Sequence, residues 1–297
     1  MLRILYFLLL CSFISAQDFQ IKYVTVYTVD LSLAGEIETV SEIIAAPGYA
    51  KFRGQLIPKR WIFRLFGGER GMIKVPGSEK IMGYSSKRKK YWIAPPGELA
   101  LFSDKNWDEA DTEDEKTAEE TSLSGETVDQ DTNTSEDYKK NRFIEFANNV
   151  FTDDNTIPSI SRNFNDTVET INGFRAKKWT TTISTKKNKM LIEEWVVNEL
   201  PLRDSLYAYI ASSVDDEFIE NINKIKFSSL DFIGGVDSTY SLLQSDEKTV
   251  MAKLTIDSDA GWMESATFEI RELYIAPFNP ITYTIPEDYE RLDLDRK

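Results

Sequence analysis

Apolar and polar residues alternate along residues 18–33 of the chain. Ile21 and Tyr23 fall on one side of this pattern, and Val24 and Val26 fall on the other. Successive side chains of a β-strand point to opposite faces of the sheet, so a period of two is typical of a strand. The pattern predicts a long first strand, buried on one face and partly covered on the other, which Gly35 weakens or bends.

Further strands are predicted on both sides of the middle of the chain. Before it, they cover residues 39–55, 72–75, 80–84 and 90–93. Pro47-Gly48 marks a bulge or a turn within the first of these, and Pro76-Gly77 marks a turn after the second. Near the end of the chain, strands are predicted at residues 249–256 and 265–275, and residues 281–289 form a closing edge segment.

The stretch from residue 166 to residue 200 carries the clearest hairpin signal. Strands are predicted at residues 167–171, 174–184 and 190–197. Asn172-Gly173 joins the first two, and this pair favours a type I′ turn, which needs positive φ at both central residues. Pro201 then ends the sheet and begins a helical pattern.

Apolar residues recur at helical spacing in residues 138–150, 202–210 and 218–225. The second stripe consists of Leu202, Leu206, Tyr209 and Ile210. Strands in succession, with helices grouped between them, indicate an α+β fold. We therefore expect one curved antiparallel sheet with amphipathic helices on its concave face.

Residues 58–66, PKRWIFRLF, form a short basic amphipathic segment. On a helix, one broad apolar face includes Trp61, Phe63 and Phe66, and Arg60 and Arg64 share the opposite side. Such a segment suits contact with a membrane surface or with the groove of a partner. The alternative is that it caps the sheet and buries Trp61 in the core.

Charge is unevenly distributed over the chain, which carries 35 basic and 49 acidic residues for a net charge of −14. Residues 51–90 are basic, and residues 104–137 are acidic and poor in large apolar side chains. We expect the acidic stretch to be a disordered insert, because it cannot bury enough surface to offset its ordering entropy. The acidic balance argues against a nucleic-acid partner.

Residues 1–16 have the features of a secretory signal peptide. Arg3 precedes a short apolar run, and cleavage is expected near Ala16. Cys11 would be the acceptor of a lipid anchor, but Leu10 replaces the small residue that should precede it. We therefore expect a periplasmic or secreted protein with one domain at residues 17–297, and no apolar run after the signal is long enough to span a bilayer.

Histidine does not occur in the chain, which excludes Ser-His-Asp catalysis and His-ligated zinc. Adjacent carboxylates such as Glu193 and Glu194 point to opposite faces of a strand, so they cannot act on one substrate. Residues 215–217, DDE, suit a helix N-terminus, where carboxylates interact favourably with the helix dipole. We therefore expect a protein without catalytic activity, metal or cofactor.

Several segments together resemble uncharacterised secreted bacterial proteins that are similar to the outer-membrane lipoprotein carrier (Lol-type) superfamily. The matching pieces are KKYW at residues 89–92, ETINGFRAKKW at residues 169–179, Trp195 before Leu200-Pro201-Leu202, and YTIPEDY at residues 283–289. The resemblance implies an unclosed β-barrel wrapped around helices, with a hydrophobic cavity that receives acyl chains. It transfers no catalytic residue, because the carriers have none.

Two functions remain open at the level of the sequence. The first is a binding protein for a lipid or lipoprotein acyl chain, with a ligand site formed by Trp179, Trp195, Leu206, Tyr209 and Ile210. The second is a structural or interaction protein of the envelope with a filled core, in which the same side chains are ordinary core residues. Its partner surfaces would be the acidic insert and the basic segment.

Overall fold

The structure is a computed structural model that describes residues 19–32, 35–60, 68–78, 80–94, 158–212, 246–257 and 263–292. Several predicted features lie outside these residues: the signal peptide at 1–16, the acidic insert at 104–137, and the helices at 138–150 and 218–225. Most of the basic amphipathic segment, including Trp61, Phe63, Arg64 and Phe66, also lies outside them.

The described residues form twelve strands, one α-helix and one 3₁₀-helix. The strands are β1 (Phe19–Leu31), β2 (Gly35–Ala46), β3 (Tyr49–Pro58), β4 (Gly68–Lys74), β5 (Ile81–Ser85), β6 (Lys90–Ala94), β7 (Ser159–Ile171), β8 (Phe174–Ser184), β9 (Lys189–Val197), β10 (Lys248–Asp257), β11 (Met263–Pro277) and β12 (Glu290–Arg291). Helix α1 is Pro201–Ala211, and the 3₁₀-helix is Pro280–Tyr283.

All twelve strands belong to one sheet, in the order β12-β6-β5-β4-β3-β2-β1-β11-β10-β9-β8-β7. Neighbouring strands are antiparallel, except that β12 runs parallel to β6. Among the described strands β12 and β7 lie at the two ends, so the sheet is not closed into a barrel. The predicted α+β fold with an unclosed antiparallel sheet is confirmed.

Strand β1 joins the two halves of the sheet. It pairs with β2 on one side and with β11 on the other, from Phe19 opposite Pro277 to Leu31 opposite Met263. The pairing with β11 contains irregularities at Val24/Thr25 and Asp30/Leu31. The two halves of the sheet therefore depend on contacts between residues that are far apart in the sequence.

Two predicted turns are observed with the backbone that their residues favour. Asn172 and Gly173 have φ values of 47° and 87°, the positive pair that a type I′ turn requires. Pro47-Gly48 is a turn rather than a bulge, with φ of 79° at Gly48, and it splits the predicted second strand into β2 and β3. Strong turn residues act locally, so they could be identified without the tertiary fold.

Strand β7 begins at Ser159, earlier than the predicted start at residue 167. Its side chains are mostly exposed because the strand lies at the end of the described sheet. A strand without a buried face has no apolar alternation, which explains why the pattern missed its first half. Residues 281–289 contain the 3₁₀-helix instead of a continuous edge segment, and only Glu290–Arg291 pairs at the edge.

The sheet buries side chains on both faces. We call the face against α1 the helix face, and it includes Tyr23, Phe52, Met72, Trp92 and Phe268. The opposite face, which we call the tail face, packs against the C-terminal segment. Its cluster contains Ile44, Ile73, Tyr84, Phe278, Tyr283 and Tyr289.

Two glycines allow aromatic rings to lie flat on opposite faces of the sheet. A Cβ on Gly83 would lie 2.4 Å from the Trp92 ring on the helix face, and one on Gly71 would lie 2.5 Å from the Tyr84 ring on the tail face. Each ring belongs to the residue paired with its glycine on the neighbouring strand. Each ring fills the space above its glycine that a side chain would otherwise occupy.

Six adjacent strands are crossed on the tail face by a chain of polar contacts, which we call the charge ladder. Its contacts are Glu272–Lys22 (3.1 Å), Lys22–Glu42 (3.0 Å), Glu42–Arg53 (3.2 Å), Arg53–Glu69 (3.4 Å) and Glu69–Tyr84 (3.3 Å). Glu42 is buried between the two cations. Burial opposes the charge on Lys22, yet the hydrogen bonds to Glu42 and Glu272 raise its pKa above the ordinary value.

We expect Gly83→Ala to destabilise the protein by about 1–3 kcal/mol, because the new methyl group must displace the Trp92 ring. Urea unfolding gives the free energy, and near-ultraviolet circular dichroism reports the environment of the ring. Gly68→Ala is the control, since its Cβ would meet the nearest atom, in Lys87, at an ordinary 3.5 Å. Equal losses in both variants would contradict the packing argument.

We expect Glu42→Gln to lower the free energy of unfolding by about 2 kcal/mol, because it removes the charge that Lys22 and Arg53 share. Urea unfolding at pH 7 checks this value. Glu36→Gln is the matched control, since the exposed Glu36–Lys59 pair is worth at most about 0.5 kcal/mol. A loss at Glu42 no larger than at Glu36 would contradict a structural role for the ladder.

Candidate functional site

Helix α1 holds the side chains that face the sheet at the centre of the molecule. Pro201 occupies the first turn, where its fixed φ and missing N–H are tolerated, and the helix begins directly after the buried Leu200. The buried residues of the helix are Arg203, Leu206 and Ile210, at spacings of three and four. One stripe of α1 therefore packs against β1, β2, β3 and β11.

Arg203 is the unusual member of this stripe, because its side chain is charged and the residue is only 8 % exposed. Its positive charge acts on the nearby hydroxyl of Tyr23, where it lowers the pKa against the larger effect of burial. Its Nε atom is buried and has no hydrogen-bond partner. Within the described part of the chain, no carboxylate forms an ion pair with Arg203.

Three tyrosines, Tyr23, Tyr27 and Tyr207, pack in the same part of the core, and the charge of Arg203 acts on the first and the last of them. Burial raises the pKa values of Tyr23, Tyr27 and Tyr207, and the charged form of Tyr207 would raise the other two further. Arg203 acts in the opposite direction on Tyr23 and Tyr207. We call these four residues the arginine–tyrosine cluster, and at neutral pH its hydroxyls are protonated and its guanidinium group is charged.

The chemistry of the cluster is that of a hydrogen-bond donor site. A guanidinium group offers donors in a planar fork that fits carboxylates and phosphates, and each protonated hydroxyl adds a donor. The N-terminus of α1 has no side-chain cap on its N–H groups, and its dipole also favours negative charge. The arrangement therefore suits the binding of an oxyanion.

The predicted helix residues lie together beside this cluster. Leu206 and Ile210 are completely buried, and Tyr209 is half-buried and packs against the same core. Sequence reasoning identified their stripe but missed Arg203. The signal was present, because Arg203 precedes Leu206 by three positions and Ile210 by seven, which places it on the same face of a helix.

Trp179 and Trp195 lie on neighbouring strands, as predicted, but on opposite faces of the sheet. Trp179 pairs with Glu194, and Trp195 pairs with Lys178. Because paired residues share a face and successive residues alternate, the two indole rings point away from each other. They do not line one cavity: Trp195 belongs to the buried cluster that contains Leu206 and Ile210, and Trp179 is not part of that cluster.

Each of the two indole rings has its own polar partners. The Nε1 atom of Trp195 donates to Glu169 at 2.8 Å, and the Lys178 ammonium lies 5.2 Å from the ring centroid. The Nε1 atom of Trp179 donates to Glu247 at 2.8 Å, and Arg162 stacks 3.8 Å from its centroid. These contacts account for the position of both rings without a ligand.

The charged residues considered in the sequence have local partners. Glu193 and Glu194 occupy opposite faces of β9, as expected, with Lys178 at 3.0 Å from the first and Thr249 at 2.6 Å from the second. Arg60 is exposed and lies after β3, as the last residue of the described range 35–60. The predicted membrane or partner contact of Arg60, Trp61, Phe63, Arg64 and Phe66 stays a prediction.

Within the described ranges, no group of three histidine, cysteine, aspartate or glutamate side chains is placed to hold a metal ion. No helix of the same ranges is both long enough and apolar enough to cross a membrane. No protein-family model and no curated protein matches the chain.

We expect the stability of the protein to fall above about pH 10, where an unfolded tyrosine loses its proton. The buried tyrosines keep their protons at this pH, because burial raises their pKa values. Their contribution to stability is therefore complete below about pH 10 and is lost as the pH rises towards the pKa of the folded state. Each such tyrosine adds a slope of about 1.4 kcal/mol per pH unit.

Urea unfolding between pH 8 and pH 11 measures this slope in the wild type and in Tyr23→Phe, where we expect it to decrease by one tyrosine. Tyr274→Phe is the control, because its ring is 43 % exposed. A slope that Tyr23→Phe leaves unchanged would contradict the burial of this hydroxyl in the arginine–tyrosine cluster.

Proposed function

We propose that the chain is a non-catalytic binding protein that holds an acyl-chain ligand between the sheet and α1. The observation that supports this proposal is the width of the apolar helix face. Helix α1 packs against β1, β2, β3 and β11, whereas the buried apolar cluster to which Leu206 and Ile210 belong extends to Trp92 on β6 and to Trp195 on β9.

The dimensions of the two surfaces differ. An α-helix of 11 residues is about 16 Å long. The nine strands from β6 to β9 span about 38 Å at their usual separation. An acyl chain bound beside the helix would replace part of the contacts that now bury this wide apolar face, and apolar burial at about 25 cal/mol per Å² needs no sequence motif.

The location that we propose is the periplasm or the exterior, after cleavage near Ala16. The ligand would be a lipid or the acyl chain of a lipoprotein, in agreement with the resemblance to the Lol-type carriers. Contact with a membrane surface through residues 58–66 would bring the protein to its donor or acceptor.

The alternative is an interaction protein of the envelope with a filled core. It is favoured by Leu206 and Ile210, which have no exposed surface and contact the core directly. The two functions differ in a measurable way, because a filled core takes up no ligand.

Native mass spectrometry of the full chain, purified from its own host without detergent, is the first experiment. We expect a bound species with the mass of a lipid or lipopeptide. After delipidation, we expect saturable uptake of the fluorescent fatty acid cis-parinaric acid at one site. A clean protein mass together with no saturable uptake would contradict the binding function and support the filled core.

A pair of tryptophan variants locates the site on the helix. We expect Leu206→Trp to reduce the affinity for cis-parinaric acid by at least about tenfold, because the added ring occupies the interface with the sheet. Ala208→Trp places the same ring on the exposed side of α1 and should leave the affinity unchanged. Equal effects of both variants would exclude the helix–sheet interface as the site, and circular dichroism checks that each variant is folded.

A further inference from the structure

The buried position of Arg203 is not explained by the packing of α1. An apolar side chain would fill the same position beside Leu206 and Ile210 without the cost of removing a charge from water. Buried charges in proteins are normally paired with an opposite charge. The nearby hydroxyl of Tyr23 is neutral at physiological pH and does not balance the charge of Arg203.

The charge and the unused Nε–H donor of Arg203 define the chemistry of a suitable ligand. It must be an anion, because the guanidinium group carries a positive charge, and it must accept hydrogen bonds, because the Nε–H donor is unused. It must also reach the interface between the sheet and α1, where Arg203 is 8 % exposed. The nearest acidic side chain in sequence, Asp204, is exposed on the other side of the helix.

We propose that Arg203, with the hydroxyls of Tyr23 and Tyr207, binds the oxyanion head group of the acyl ligand, a carboxylate or a phosphate. This inference rests on the proposed function, and it adds the class of ligand: an anionic amphiphile instead of any apolar chain. The acyl chain then lies along the apolar helix face.

The position of Arg203 at the start of α1 also favours the binding of an anion. Helical side chains lean towards the N-terminus of their helix, so Arg203 in the first turn is directed to the end of α1 that carries the positive dipole charge. The residue at the N-cap, Leu200, has no side-chain group to bond the N–H groups there. The guanidinium group, the tyrosine hydroxyls and the helix terminus therefore all favour a negatively charged group that accepts hydrogen bonds.

Three ligands of equal chain length test the proposal on the delipidated full chain. They are dodecanoate, methyl dodecanoate and dodecyl phosphate, each titrated by displacement of a bound neutral fluorescent acyl probe. We expect the wild type to bind dodecanoate or dodecyl phosphate at least about tenfold more tightly than the ester. The tighter of the two anions identifies the source of the head group.

The variants separate recognition of the head group from recognition of the chain. In Arg203→Met, we expect the preference for the anion to disappear while the ester keeps its wild-type affinity. Tyr23→Phe should reduce the preference by a smaller factor. Arg175→Met is the matched control, because Arg175 is an exposed arginine on β8, and it should keep the full preference.

A spectroscopic measurement on the wild type avoids the variants altogether. The Nε–H resonance of Arg203 should shift when dodecanoate is added and should not shift with methyl dodecanoate. Equal affinities of the wild type for the anions and the ester would overturn the head-group site and leave the proposed function standing. No binding of any of the three ligands would overturn both, and an unchanged preference in Arg203→Met would assign the head group to another residue.

Discussion

The pairing of β1 with β2 and β11 is the constraint on which the rest of the structure depends. Among the described strands, β1 alone connects the half of the sheet that contains β2–β6 with the half that contains β7–β11. The side chains on the two faces of β1 make different contacts. Tyr23 faces α1 on the helix face, whereas Lys22 stands at the centre of the charge ladder on the tail face. The joining of the halves, the ladder and the arginine–tyrosine cluster therefore all require the same strand register.

Charged side chains have different partners on the two faces of the sheet. On the tail face, Lys22 and Arg53 share Glu42, so each cation has a carboxylate on a neighbouring strand. On the helix face, Arg203 lies near the Tyr23 hydroxyl and has no carboxylate partner in the described part of the chain. The first arrangement is complete in itself and explains stability. The second leaves the buried Nε atom of Arg203 without a hydrogen-bond partner, and this is the basis for the class of ligand that we propose.

Some elements were predictable because their causes are local. Asn172-Gly173 forms its turn through the φ values that these two residues adopt, and Pro201 begins α1 because its ring suits the first turn. Alternation located β1 because this strand has a buried face. The same reasoning missed the first half of β7, where exposure on both faces leaves no pattern, and it treated the stripe of α1 as apolar although Arg203 belongs to it.

The sequence alone determined the fold class, the main turns and the residue types that face the core, because backbone preferences and apolar periodicity act over a few residues. Which side chains meet depends on strand register and on the docking of α1. Trp179 and Trp195 were adjacent by strand order, yet a register with Lys178 opposite Trp195 places them on opposite faces. Arg203 and Tyr23 lie far apart in the chain, and the pairing of β1 with its neighbours and the docking of α1 bring them together. Register and docking depend on long-range contacts, which no local pattern encodes.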